Sequence, residues 1–259
     1  MLSWINLLGC NTQLYLQKVG CSVRFFTSFL CSIRHDGIRL RAVLKQMHLL
    51  GTASLLVIAV AAAFIGMVVA VQGFHTLEKF GAEAQLSQLL GLSVFRELGP
   101  VICALLYAGR AGGSLAAEIG LMQATEQISA MQVMAINPLS RVVFPRWLAG
   151  IICLPLLTLI FCAVALWGGY WVAVVWLKID AGVFWSNMQS AVTFQSDVMG
   201  GVYKSIAFAI IVNWVALYQG FKAIPNASGV GAATTKTVVV ASLVILAVDF
   251  IMTALMFGG

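Results

Sequence analysis

Hydrophobic positions in this chain come in long, nearly unbroken runs rather than at the spacing of a half-buried soluble helix or strand. Residues 49–77 contain no Asp, Glu, Lys or Arg, and neither do residues 147–177. A membrane-spanning helix needs roughly 20 apolar residues. Each run can therefore cross a bilayer, the second with length to spare for tilt. Three further runs are interrupted by charge: about 86–108 holds Arg96 and Glu97, about 198–219 holds Lys204, and about 238–257 holds Asp249. The pattern predicts an all-α integral membrane protein with five transmembrane helices.

Charge between the runs predicts orientation. Before residue 49 stand Lys18, Arg24, Arg34, Arg39, Arg41 and Lys45 against a single acid, Asp36. The loop after the first run has Lys79 with Glu78 and Glu83, and the next has Arg110, Arg141 and Arg146. Then come Lys178 with Asp180 and Asp197, and finally Lys222 and Lys236 without an acid. Basic and mixed loops alternate, which places the N-terminus in the cytoplasm and the C-terminus on the periplasmic side. Within residues 1–48, Trp4, Leu8, Tyr15, Val19, Phe26, Leu30 and Ile33 recur at helical spacing with basic residues between them. That segment reads as an interfacial amphipathic helix ahead of a five-span domain at 49–259, a mobile basic tail being the alternative.

Composition agrees: 61% of the 259 residues are hydrophobic and 9% charged, against about a quarter charged in soluble domains. None of the six cysteines forms a C-x-x-C pair and the three histidines are scattered. Free thiols acting as small hydrophobes are expected, with no disulfide framework and no metal site.

An ionisable side chain at mid-membrane costs about 2.5 kcal/mol or more and is a functional hypothesis by default. At about 1.5 Å per residue, Arg96 lies roughly 15 Å below the outer end of its helix, Lys204 roughly 10 Å and Asp249 roughly 12 Å. With Glu97 they make two positive and two negative groups at similar depth. A self-neutralising cluster of Arg96, Glu97, Lys204 and Asp249 is expected, either as a static staple or as a coupling element that rearranges. Just beyond it, Pro100 is expected to kink the helix. Gly109 and Gly113, one turn apart, are expected to let helices approach closely.

Residues 118–138 form the segment between the second and third runs. Ile128, Met131, Met134 and Ala135 alternate with Glu126, Gln127 and Gln132, and Pro138 ends the pattern. This is a short amphipathic helix whose apolar face has no lipid to meet, so a cytoplasmic protein partner is expected. The stretch 180–197, with Phe184, Trp185, Met188 and Val192 at helical spacing, is expected to lie along the outer interface.

Four motifs stand in order: RELGPV at 96–101, AGRAG at 108–112, AEIGLMQATEQISAM at 117–131 and DFIMTALMFGG at 249–259. Through them the chain from about residue 40 onward resembles the MlaE family, permease subunits of the ABC-type transporter that maintains lipid asymmetry of the Gram-negative outer membrane. The resemblance implies an inner-membrane homodimer carrying a cytoplasmic ABC ATPase, a STAS-domain accessory subunit and a periplasmic MCE-domain hexamer. It implies that Glu118, Glu126, Gln127, Met131 and Pro138 belong to the ATPase-coupling segment. Arg96, Glu97, Lys204 and Asp249 match the family's charge network. The phospholipid cavity between the two permeases would be lined by Val69, Thr76, Leu77 and Phe80.

Other chemistries find no support. The string GVGAATTKT at 229–237 has Thr234 and Thr235 where a phosphate-cradling loop needs Gly and Lys. ATP and Mg²⁺ therefore belong to the partner ATPase, and this chain is expected to bind no cofactor. No hydrolase motif is present, so no catalytic residue is assigned, and nucleic acid is not among the expected partners. Five helices do not readily enclose a two-tailed lipid, whereas two copies about a twofold axis do. Two alternatives remain: a scaffold that anchors partners without forming the lipid path, and an ion-coupled carrier.

Overall fold

The computed structural model describes residues 40–257 together with Gly20, Arg24, Thr27 and Phe29. Among these residues there are helices and no strands. The expected interfacial helix rests on Trp4, Leu8, Tyr15, Val19, Phe26, Leu30 and Ile33, which lie outside the described residues.

Five helical spans are long and apolar enough to cross a membrane: Leu40–Glu78, Glu83–Ala124, Leu139–Trp176, Phe194–Phe221 and Ala227–Met256. The first is a single helix, α1 (Leu40–Glu78), which runs straight through the boundary expected at 48/49. The second is built from α2 (Leu86–Ser93), α3 (Gly99–Tyr107) and α4 (Gly113–Ala124), joined by widened π-type turns at Val94–Leu98 and Ala108–Gly112. A short helix, α5 (Gln127–Val133), leads to the third span, whose body is α6 (Phe144–Trp171). At the opposite end α7 (Ala181–Ala191) precedes the fourth span, which opens with a π-turn at Phe194–Val198 and continues as α8 (Met199–Phe221). The fifth span is α9 (Ala227–Phe257).

The second span differs most from expectation. Hydropathy falls at the Gly- and Ala-rich stretch after residue 108, yet the helix continues to Ala124. A glycine in a helix costs about 1 kcal/mol relative to alanine, and here burial of Ala111, Leu115 and Ala116 offsets it. Arg110 consequently sits inside the helix, not in a loop, and donates to Ser54 Oγ on α1 at 2.9 Å. Gly109 does not mediate close packing: a Cβ there would meet nothing within 4 Å, and at Gly113 it would make only ordinary contact with Val238.

The close approach lies instead between α1 and α6. A Cβ on Gly66 would fall 1.9 Å from the Ala165 carbonyl oxygen, so only glycine allows these backbones to touch. A polar link also crosses the core: Tyr107 Oη donates to Asn213 Oδ1 at 3.1 Å, and Asn213 Nδ2 donates to Ala209 O at 2.7 Å. Cys103, Cys153 and Cys162 are buried free thiols on the spans. Burial is uneven. Half (50%) of the most apolar window of the third span is buried but only 11% of that of the fifth, which leaves α9 on the periphery of a single chain.

Candidate functional site

Pro100 initiates the site. Proline has no N–H to give to the carbonyl four residues back, and that carbonyl belongs to Arg96. It accepts instead from Lys204 Nζ on α8 at 3.1 Å. The same ammonium donates to Glu97 Oε2 at 2.9 Å and to Thr253 Oγ1 on α9 at 2.7 Å. Thr253 passes its own hydrogen to Glu97, at 3.1 Å from Oε1. An ammonium has three hydrogens, and these three acceptors use them all. Asp249 Oδ1, 3.2 Å from Nζ, is therefore paired by charge but has no hydrogen-bond partner. Lys204 itself is wholly buried. Its helix comes this close because Gly201 lies one turn earlier, where a Cβ would be 2.4 Å from the Phe95 carbonyl oxygen.

Lys204 thus gathers the side chains of Glu97 and Asp249, whereas Arg96 reaches it through its backbone carbonyl and turns its side chain to a fifth residue. Its Nε donates to Asp197 Oδ1 at 2.7 Å. Asp197 is buried and also accepts from the Thr193 backbone N–H at 2.7 Å, the Thr193 hydroxyl at 3.0 Å and the Ser196 hydroxyl at 3.1 Å. The charge pattern assigns Asp197 to the interfacial loop before the fourth run; the π-turn that opens the fourth span draws it inward. The signal was its position immediately before the span, four residues after a threonine. The site therefore holds two cations and three carboxylates on four chain segments, with Arg96 and Glu97 on its half-exposed side.

At the α5 end a separate ion pair ties the second span to the third. Arg146 Nη2 donates to Glu118 Oε1 at 2.9 Å and its Nε to Glu118 Oε2 at 3.2 Å, a forked geometry. Glu118 is therefore engaged within the chain, and Pro138 is buried. Part of the apolar face of α5 is covered within the chain, while Met134 and Ala135 are exposed. Ile128 is buried and Met131 packs against a cluster containing Phe29, Ile119, Phe144 and Leu217. Phe29 stands among Phe144, Trp147 and Trp214, with ring centroids at 6.1, 5.3 and 6.1 Å. Left-handed turns at Glu126 (φ 57°) and Ala135 (φ 56°) bracket α5. They leave Glu126 and Gln127 exposed and present Val133, 88% exposed, beside Met134, 62% exposed, at its tip.

The residues implied for the lipid cavity do not converge within one chain. Val69 and Leu77 are half-buried against the chain's own core. Thr76 is exposed, its hydroxyl bonded to Gln72 O at 2.9 Å, and Phe80 is 79% exposed.

Residues 43–255 match the family described as permease MlaE. This chain belongs to the MlaE permease family. Among MlaE-family relatives, the intermembrane phospholipid transport system permease protein MlaE of Haemophilus influenzae is 52% identical over 217 residues, covering 84% of this chain and 83% of that one. A probable ABC transporter permease protein of Rickettsia typhi is 35% identical over 261 residues, covering 99% of both chains. A probable ABC transporter permease protein of Synechocystis is 34% identical over 249 residues, covering 96% of this chain and 94% of its own.

Proposed function

We propose that the chain is the membrane permease subunit of an ABC-type transporter that moves phospholipid between the inner membrane and a periplasmic partner. The observation that carries this reading is the unbroken second span. One helical rod, Glu83–Ala124, holds Arg96 and Glu97 near one end and delivers α5, with its exposed Val133 and Met134, at the other. The α5 end faces the cytoplasm, a reading the basic residues around it support, and an ABC ATPase docks on that tip. The N-terminus is cytoplasmic and the C-terminus periplasmic, the N-terminal segment lies in the interface, and a STAS-domain subunit accompanies the ATPase.

Two copies of the chain enclose the lipid. The exposed Thr76 and Phe80 at the α7 end face the cavity between them, below a hexamer of MCE-domain subunits. ATP and Mg²⁺ are bound by the partner alone. Closure of the two ATPases pushes on α5, the forked Glu118–Arg146 pair keeps the second and third spans moving together, and the displacement reaches the ionic site. There Lys204 holds three spans through one ammonium, so a small shift of the second span changes which carboxylate it serves.

The test is a mild-detergent purification of the tagged chain from its host, with mass spectrometry of proteins and lipids. The reading expects a Walker-motif ATPase, an MCE-domain protein and bound phospholipid. Recovery of the partners without lipid would favour a scaffold and count against the lipid path.

A further inference from the structure

The ionic site shares both of its π-turns with a pocket. Phe95 precedes Arg96 on the turn Val94–Leu98, and Phe194 and Val198 stand on either side of Asp197 on the turn Phe194–Val198. All three line a cavity of about 320 Å³ roofed by α7 through Trp185, Met188 and Gln189. The roof is fixed. Asp180 caps α7 by accepting from Val183 N at 2.9 Å, Asn187 Nδ2 donates to Ala84 O at 2.8 Å, and buried Phe184 packs edge-on to Tyr170 at 5.4 Å.

The geometry points to a lipid site: we infer that this pocket takes one acyl chain of a bilayer phospholipid. Its volume accommodates about ten groups of methylene size, taking a water-like volume of about 30 Å³ for each. That is room for much of one chain and too little for a two-tailed lipid. Among the described residues that line it, the polar groups are the Gln189 amide and the Trp185 indole N–H, and none is charged to hold a headgroup. Trp185, Gln189 and Phe194 are the exposed members of the lining, so the pocket is reached from the surface beside them. A tryptophan beside an amide suits the level where headgroups meet tails. In a bilayer no water is at hand to fill an apolar hollow, and a lipid tail gains dispersion contacts by entering it.

This site is separate from the cavity assigned to Val69, Thr76, Leu77 and Phe80, because it draws on none of those residues. The inference rests on the chain spanning a membrane and not on transport. A chain seated against Phe95, Phe194 and Val198 braces the two turns that the Arg96–Asp197 bond joins. Occupancy by an ordinary membrane lipid thus stabilises one arrangement of the ionic site.

The experiment uses the full chain with its co-purifying partners in nanodiscs of phosphatidylethanolamine and phosphatidylglycerol. A phosphatidylethanolamine carrying a diazirine in one acyl tail is the probe, without nucleotide. After irradiation, adducts on residues 181–198 should exceed several-fold those on the exposed residues Leu243 and Phe250 of α9. They should fall to that background in Gln189→Phe, a rim substitution at an exposed position, and in Val198→Phe, while adducts on residues 69–80 persist. Labelling of 181–198 at background in the wild type, or unchanged in both variants, would overturn the inference. So would adducts that appear only after the partner proteins are stripped away, since a partner helix would then be the occupant.

Discussion

Replacing Lys204 with methionine keeps the apolar stem of the side chain and removes its ammonium. Lost at once are the bonds to Arg96 O (3.1 Å), Glu97 Oε2 (2.9 Å) and Thr253 Oγ1 (2.7 Å), and the charge 3.2 Å from Asp249 Oδ1. Two carboxylates are left facing each other. Removing one partner of a buried ion pair costs about 3–5 kcal/mol. The side chain of Asp249 is 19% exposed and that of Glu97 37%, so solvent screens part of the residual repulsion. The loss expected for Lys204→Met is therefore at the lower end, about 3 kcal/mol. Asp249→Asn leaves Lys204 bonded to Glu97 and Thr253 and should cost about 1–2 kcal/mol. In the double variant the second substitution removes a repulsion that the first created, so its total should fall short of the sum by more than about 1 kcal/mol. Interhelical polar pairs in membranes average about 0.6 kcal/mol in such cycles, so a larger coupling marks a true ion pair. SDS-driven unfolding of the purified chain in mixed micelles, followed by tryptophan fluorescence, measures all four corners. Additivity within about 0.5 kcal/mol would refute the shared-ammonium account.

Three more predictions address packing, the fifth charge and the docking tip. Gly66→Leu forces α1 from α6 and should cost about 1–3 kcal/mol or more in the same unfolding assay, whereas Gly109→Ala, in open space, should stabilise by up to about 1 kcal/mol; equal effects would contradict the close approach. Asp197→Asn removes the acceptor charge for Arg96 while keeping the side-chain shape, and should lower stability by about 1.5–3 kcal/mol; a neutral result would place Arg96's partner elsewhere. Val133→Glu changes an exposed tip, so unfolding should move by no more than about 0.5 kcal/mol while the ATPase is lost from the purified complex; retention of the ATPase would remove the tip from the interface.

What was legible in the sequence follows from what each signal measures. Hydropathy measures where lipid is, and it found all five spans, because apolar runs of that length have almost no use outside a bilayer. Depth along those runs brought Lys204 together with Glu97 and Asp249. The same measure failed for Asp197, one residue outside its apolar run, because a π-turn carries the helix and its buried surface beyond the point where hydropathy ends. It also ended the second span too early. Helices stop where capping or backbone geometry stops them, and the first left-handed residue after Tyr107 is Glu126. The inward face of α5 was hidden for another reason. Ile128 and Met131 belong with a cluster that includes Phe29, which lies about a hundred positions away in a segment whose place no local pattern gives. The residues proposed for the cavity do not converge within one chain, and Phe80 stands exposed; what it faces from a second copy is proposed and not given by the fold.

The central claim is that this chain forms the path for ATP-driven phospholipid movement. The most direct measurement is transfer of a fluorescent phospholipid between proteoliposomes containing the co-purified complex and its periplasmic partner, with and without ATP and Mg²⁺. The account predicts nucleotide-dependent movement that disappears in Val133→Glu, through loss of the ATPase, and falls steeply in Lys204→Met although the complex still assembles. Movement at the same rate in all three proteins, or none with ATP in an intact wild-type complex, would contradict it.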